Sequence, residues 1–295
     1  MKLPESMRST LKFLWTHPLL QGRPVYAFAR FFSWQLMSRL RRSPVAFAWV
    51  GGSKLWLRRG WGSLTGNYYA GLYDFQDMAF LLHLLRPGDR FVDVGANMGS
   101  YSILASAVCR ARSISYEPVP AAFARLLANR DLNDLAGLVD CRPSAVGAAP
   151  GILAMTSGLD AANHVVTADD PHAVKVPVVA LDDDLPEPPV LLKVDVEGFE
   201  TEVLGGARRC LGDLRLKAVI IELNGSGLRY GRRDADLHAL LLAAGFAAYR
   251  YSPQQRSLAA LDQPGDANTR YCRDLAFVEA RLRVAETFTV AGRSF

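Results

Sequence analysis

The chain has 295 residues, half of them hydrophobic and 21% charged, a balance that excludes a disordered chain and allows one large core with or without an accessory segment. Its net charge of +5 is unevenly spread: residues 1–60 carry eleven Lys or Arg against one acid, Glu5, while the remainder carries 23 basic against 28 acidic residues. Cys109, Cys141, Cys210 and Cys272 have neither metal-ligand nor redox spacing and are too few for a disulfide scaffold, so reduced, mostly buried thiols are expected.

Residues 1–60 read as short helices broken by Pro18, Pro24, Pro44 and Gly51-Gly52. They form a basic, aromatic-rich helical extension, placed at residues 1–62, with Trp15, Trp34 and Trp49 among its aromatics. Pro4, Glu5, Arg8, Lys12 and Pro18 interrupt the start, which does not read as an export signal. No run reaches the roughly 18–20 apolar residues of a membrane span. The apolar runs 28–37 and 45–51 are short and separated by Arg39, Arg41 and Arg42. The expectation is a cytoplasmic protein, with membrane contact, if any, peripheral, at the inner face and through residues 1–60.

Residues 75–86 have helical apolar spacing and stop at Pro87-Gly88. Strand, loop and helix then alternate. Strands are predicted at 90–94, 113–116, 138–146, 190–195 and 218–222, with helices at 99–109, 120–130, 200–211 and 234–244. Segments 152–156 and 174–179 alternate like antiparallel strands around a polar loop, and two late strands are predicted at 246–251 and 274–279. The alternation predicts an α/β domain over residues 63–295, a mostly parallel sheet with helices on both faces.

Asp93, Glu117, Asp195 and Glu222 each close a predicted apolar strand. Ligands of open parallel sheets bind along that edge, where strand order reverses. The plainer alternative makes these acids helix N-caps or ion-pair partners. Gly95-Ala96-Asn97-Met98-Gly99 joins the first strand to its helix and lacks the dinucleotide GxGxxG spacing. Glycines there let the backbone approach a ligand, and Asp93 is placed to meet an ammonium group. Glu117 follows 18 residues after Gly99, where a carboxylate can accept both hydroxyls of a ribose.

The segments FVDVGANMGSYSILAS, ISYEPVPAAFARLLANRDLN, SAVG, VPVVALDD, LLKVDVEGFETEVLGGARRCL and VIIELNG, in this order, resemble the FkbM family of S-adenosylmethionine-dependent methyltransferases over roughly residues 65–280. LLKVDVEGFE is the most specific of them. The resemblance implies a Rossmann-like, seven-stranded fold and O-methylation of a hydroxyl on a glycan, glycolipid or natural product. It implies that Asp93, Gly95, Asn97 and Gly99 hold the methionine end of S-adenosyl-L-methionine, Glu117 the ribose, and Ser144 and Ala145 the adenine. Tyr101, Pro118 and Asp195 complete the expected cofactor contacts.

Lys193, Asp195 and Glu197 alternate along one strand and point the same way. Asp195 is the first candidate for acceptor base or positioner, with Lys193 beside it; a purely structural Lys193–Asp195 pair is the alternative. His164, in the polar segment, is the second candidate base. Tyr68, Tyr69, Tyr73 and Phe75 could close over the site or simply pack. No metal cluster is legible. A nicotinamide-dependent oxidoreductase and a non-catalytic, membrane-peripheral binding protein are the competing functions. Nucleic acid is disfavoured as a partner for want of a base-flipping motif, and the oligomeric state is not legible.

Overall fold

The computed structural model describes residues 5–41, 43–159, 162–166, 172–265 and 267–295; Pro4 and Arg42, used in the sequence reading, lie outside them. The chain opens with helices α1 (Glu5–Thr16) and α2 (Pro24–Leu40), and Pro24 sits in the first turn of α2, where its missing N–H has no partner to lose. An antiparallel hairpin follows, β1 (Val45–Ala48) and β2 (Lys54–Leu57). The hairpin corrects the all-helical reading of this segment: Gly51 and Gly52, at φ +60° and +84°, supply a chain reversal.

The extension shares its core with the rest of the chain. Leu14, Ala27, Phe31, Trp34, Leu55 and Leu57 pack with Leu64, Tyr69, Met98 and Ile103. Asn129 fastens the hairpin from below, accepting the Trp56 amide at 2.8 Å and donating to the Met98 carbonyl at 2.8 Å.

Helices α3 (Gly62–Ala70) and α4 (Phe75–Leu84) lead into the sheet. Then come β3 (Arg90–Val94), α5 (Ser100–Ile103), β4 (Arg112–Tyr116), α6 (Pro120–Leu132) and β5 (Val139–Arg142). The predicted strand 138–146 is two strands in different sheets. Pro143, which has no N–H to donate, separates β5 from β6 (Ala145–Val146). With β7 (Gly151–Met155) and β8 (Val174–Val179), β6 forms a small sheet in the order β6-β8-β7, and β7 and β8 are antiparallel as expected.

The chain continues with α7 (Leu181–Asp184), β9 (Leu191–Val194), α8 (Glu200–Gly205), α9 (Arg208–Gly212), β10 (Ala218–Glu222) and α10 (Asp234–Ala243). It closes the sheet with β11 (Ala247–Ser252), β12 (Ser257–Leu261), β13 (Asn268–Cys272) and then α11 (Leu275–Arg283). The predicted strand 274–279 is therefore the start of a helix. Asp274 caps it by accepting the Phe277 amide, and buried Val278 and Leu282 lie four residues apart, a helical repeat.

The main sheet has eight strands, one more than expected, in the order β12-β11-β13-β10-β9-β3-β4-β5. The additional strand is β12, paired with β11 in a hairpin. β10, β9, β3, β4 and β5 are parallel, and β13 lies antiparallel between β10 and β11. The chain winds outward from β3 through β4 to β5, then returns to β9 on the other side of β3. Strand order thus reverses between β3 and β9, and the loops after Val94 and Val194 face each other there.

Candidate active site at the reversal of strand order

The loop after β3 turns back on itself with Gly95, Asn97 and Gly99 at φ +78°, +49° and +86°. The first glycine serves the meeting of the two loops: a Cβ on Gly95 would lie 1.9 Å from the Asp195 carbonyl oxygen. Gly99 serves packing, since its Cβ would meet Leu126 on α6 at 2.5 Å. Four amides of the loop are already engaged. Gly95 and Ala96 donate to the Tyr116 carbonyl at 3.0 and 2.9 Å, Asn97 donates to Glu117 Oε2 at 2.9 Å, and Gly99 donates to the Ala96 carbonyl at 2.8 Å. A pyrophosphate needs free amides at a helix start; three of these are spent on holding the loop to the end of β4 and the fourth on closing the loop itself.

A cleft of about 280 Å³ opens above this junction, lined by the predicted residues Gly95, Asn97, Tyr101, Glu117, Pro118, Lys193 and Asp195. An adjoining recess of about 20 Å³ shares Gly95, Pro118 and Val196 with the cleft and brings in Ser144 and Ala145 beside Val146 and Phe199. Asp93 and Gly99 line neither space. His164 is likewise outside: its Nδ1 lies 3.0 Å from the Ala162 carbonyl, while its neighbour Asn163 lines the cleft.

Asp93 lies under the floor. Its Oδ2 accepts the Ser102 hydroxyl at 2.7 Å, and Ser102 is 2.7 Å from Ser115. Above it Lys193, itself buried, places Nζ 2.9 Å from Asp195 Oδ2 and 3.9 Å from Asp93 Oδ1, with the Tyr101 ring centroid 4.8 Å away. Burial pulls the Lys193 ammonium down, but Asp195 and Asp93 outweigh it and raise its pKa. Lys193 therefore stays charged between two carboxylates, one below the floor and one in the cleft.

Glu117 reaches the cleft from the end of β4. Its two oxygens accept the amides of Asn97, at 2.9 Å, and of Val119, at 2.8 Å. A carboxylate has about four acceptor sites, so two remain. Burial pushes its pKa up to about 7, against the pull of those two amides.

The opposite wall is acidic. Asp195, Glu197 and Glu222 each offer an oxygen within 4.8 Å of the others, a spacing that suits a compact positive charge. Burial and then Asp195 and Glu197 push Glu222 up to about 8, and its Oε2 is buried without a hydrogen-bond partner. Glu197, held at φ +56°, is pushed up to about 7 by burial and by Asp195. Asp74 accepts the Tyr101 hydroxyl at 3.1 Å and is raised to about 7 by burial, then by Asp77 and Asp195. Asp74, Asn67, Asn163 and Asn268 are cleft residues that sequence reasoning missed. They come from α3, its following turn, the loop between β7 and β8, and β13, and no spacing in the sequence joins them.

A second cavity, about 600 Å³, lies between the N-terminal helices and α3 and shares Tyr73 with the cleft. Its walls include Phe13, Trp34 and Tyr69 together with Gln35, Ser38 and Thr65. The Tyr73 ring lies 5.2 Å from that of Phe13 and presses on Gly66, where a Cβ would be 2.1 Å from the ring.

Residues 93–248 match the sequence pattern of the Methyltransferase FkbM domain, a span that holds the loop, Glu117, Lys193, Asp195 and Glu222. The 31-O-demethyl-FK506 methyltransferase FkbM of Streptomyces tacrolimicus is 33% identical, over 45% of this chain and 65% of its own. Methyltransferase 1 of Beauveria bassiana (strain ARSEF 2860) is 32% identical, over 46% of this chain and 66% of its own. The chain thus spans just under two thirds of the length of either relative. Among solved structures, Methyltransferase FkbM from Methylobacillus flagellatus KT matches with a TM-score of 0.44 and 16% identity, over 71% of this chain and 52% of that one.

Proposed function

This chain belongs to the FkbM methyltransferase family, and from that premise we propose that it is an S-adenosylmethionine-dependent O-methyltransferase acting on a hydroxyl of a small-molecule, glycan or lipid-linked acceptor. The observation that carries this reading is the contrast between the loop and the wall it faces. Four amides of the loop are consumed internally, which disfavours a dinucleotide and with it an oxidoreductase. The cleft instead presents carboxylates and the buried, unpartnered acceptors Asn97 Oδ1, Asn268 Oδ1 and Glu222 Oε2. S-adenosylmethionine, with an ammonium, two ribose hydroxyls and a positive sulfur, answers such an acid-rich cleft.

Glu117 would hold the ribose through its two remaining acceptor sites, and Ser144, Ala145, Pro118 and Phe199 would flank the adenine. Asn97, Tyr101 and Asp195 would meet the methionine end. Asp93 would act through Lys193, fixing the ammonium that in turn fixes Asp195. When bound, the cofactor supplies a methyl group on a cationic sulfur. The protein's own part is to position the acceptor oxygen, an effect worth ~7–11 kcal/mol, and to take up its proton. Asp195, held by Lys193, suits the positioning. Glu222, raised to about 8, suits proton uptake near neutral pH. The cavity beyond Tyr73, walled by rings, hydroxyls and an amide, would receive the remainder of a hydroxylated acceptor.

Calorimetry with S-adenosylhomocysteine and with NAD tests the reading. Binding of the first and none of the second is expected, followed by transfer of isotopically labelled methyl to a panel of hydroxylated acceptors. Binding of NAD alone would overturn it.

A further inference from the structure

Helix α2 is apolar on two opposite faces. Ala27, Phe31 and Trp34 are buried on one, packed with Leu64 and Tyr69. The other carries Val25, Phe32, Leu36 and Leu40, which are 82%, 63%, 62% and 74% exposed. At 100° per residue, Val25, Phe32 and Leu36 fall within about 20° of one line along the helix, opposite Trp34. The Phe28 ring stacks on that of Phe32, with centroids 6.4 Å apart, and extends the stripe. Such a stripe exposes far more apolar surface than scattered surface leucines do.

Its surroundings are basic. Between Ser6 and Tyr73 the sequence contains no Asp or Glu. Arg39 and Arg41 are exposed at the C-terminal end of the stripe. On α1, Arg8, Lys12 and Trp15 are exposed at i, i+4 and i+7, hence on one helical face. No helix among the described residues is long and apolar enough to cross a membrane.

We propose that the outer face of α2, with Phe32 and Leu36 at its centre, docks the enzyme on an anionic lipid surface. A second copy of the chain would bring one acid-free segment against another, and like charges oppose that contact. An anionic bilayer meets both features, taking up the apolar stripe and attracting the arginines that flank it. α2 also supplies Trp34, Gln35 and Ser38 to the cavity that meets the cleft at Tyr73. Docking through its opposite face thus holds that cavity close to the lipid, within reach of a lipid-linked acceptor.

The test is sedimentation of the full chain with phosphatidylcholine vesicles and with equal mixtures of phosphatidylcholine and phosphatidylglycerol. Binding is expected to the mixed vesicles, to weaken at high salt, and to fall at least about tenfold in Phe32→Ser/Leu36→Ser, the loss of one transferred side chain alone. These positions are exposed, so the variant keeps its fold, checked by an unchanged melting temperature. Arg39→Glu/Arg41→Glu should remove the preference for anionic vesicles. The proposal is overturned if the native chain stays in the supernatant with mixed vesicles at low salt, or if the double serine variant binds as well as the native chain. It is also overturned if that variant merely converts a dimer to a monomer without changing vesicle binding.

Discussion

Glu117 Oε2 accepts the main-chain amide of Asn97 at 2.9 Å, so the carboxylate that ends β4 also sets the shape of the loop that ends β3. One side chain therefore does two things, holding the loop and lining the cleft.

Replacing Glu117 by Gln keeps its size but leaves an amide group unable to accept from both Asn97 and Val119. Affinity for S-adenosylhomocysteine should drop by roughly 1.5–3 kcal/mol, about 10- to 150-fold, the scale of a hydrogen bond to a charged group. Titration calorimetry measures this directly. Native affinity in Glu117→Gln would remove Glu117 from the binding site.

The two glycines at positive φ that differ most in surroundings make a matched pair. Gly95→Ala drives a Cβ against the Asp195 carbonyl, whereas Gly88→Ala, at φ +86°, meets nothing within 4 Å. Both suffer the left-handed strain of about 1–2 kcal/mol. Only Gly95→Ala should also separate the two loops and abolish cofactor binding. Equal binding by the two variants would show that the closeness of Gly95 to Asp195 is dispensable.

Asp195 and Glu222 can be told apart kinetically. The group that takes the acceptor proton should, as Asn or Gln, cost about 10²–10⁴-fold in turnover with cofactor affinity largely kept. The expected outcome is that Glu222→Gln does this, while Asp195→Asn weakens cofactor binding as well. The reverse pattern would return the base to Asp195. Lys193→Met is a structural control, since it strands the buried Asp93 carboxylate and should destabilise by about 3–5 kcal/mol in urea unfolding. Adding Asp93→Asn should recover part of that loss.

Asp74, Glu117, Glu197 and Glu222 all have raised pKa values, near 7 for the first three and 8 for the last. A carboxyl whose pKa is higher in the folded than in the unfolded chain holds more protons when folded. Stability is then fully present below about pH 4 and lost as pH rises through 7 to 8. The ligand-free melting temperature should therefore decline from about pH 5 to 8, by roughly 2–4 °C for each kcal/mol lost. A flat or rising profile in scanning calorimetry would show that the four groups are not desolvated as described.

The strand ends were the legible part of the site, because apolar strand followed by acid and glycine is a local pattern. Glu117, Asp195 and Glu222 were found that way, Lys193 by its alternation with Asp195, and all four share the cleft. Asp93 belongs to the same pattern, yet the sheet's pleat and Ser102 keep it under the floor, a distinction that only packing makes. The stretch after Asp274 alternates enough to pass for a strand, but its buried residues repeat every four. The β1–β2 hairpin hid behind Gly51-Gly52, which marks a turn without saying what flanks it. Asp74 and Asn268 could not be read at all: they reach the cleft from either end of the domain, through burial of α4 and the antiparallel placement of β13.

The crowding of acids around Asp195 has a thermodynamic signature. Near neutral pH several of these groups hold a proton in part, and a cation entering among them favours their ionised forms. Binding of S-adenosylmethionine should then expel protons into the medium, whereas the uncharged sulfur of S-adenosylhomocysteine should expel fewer. The apparent enthalpy of the first titration will consequently change with the ionisation heat of the buffer, and its slope against that heat counts the protons released.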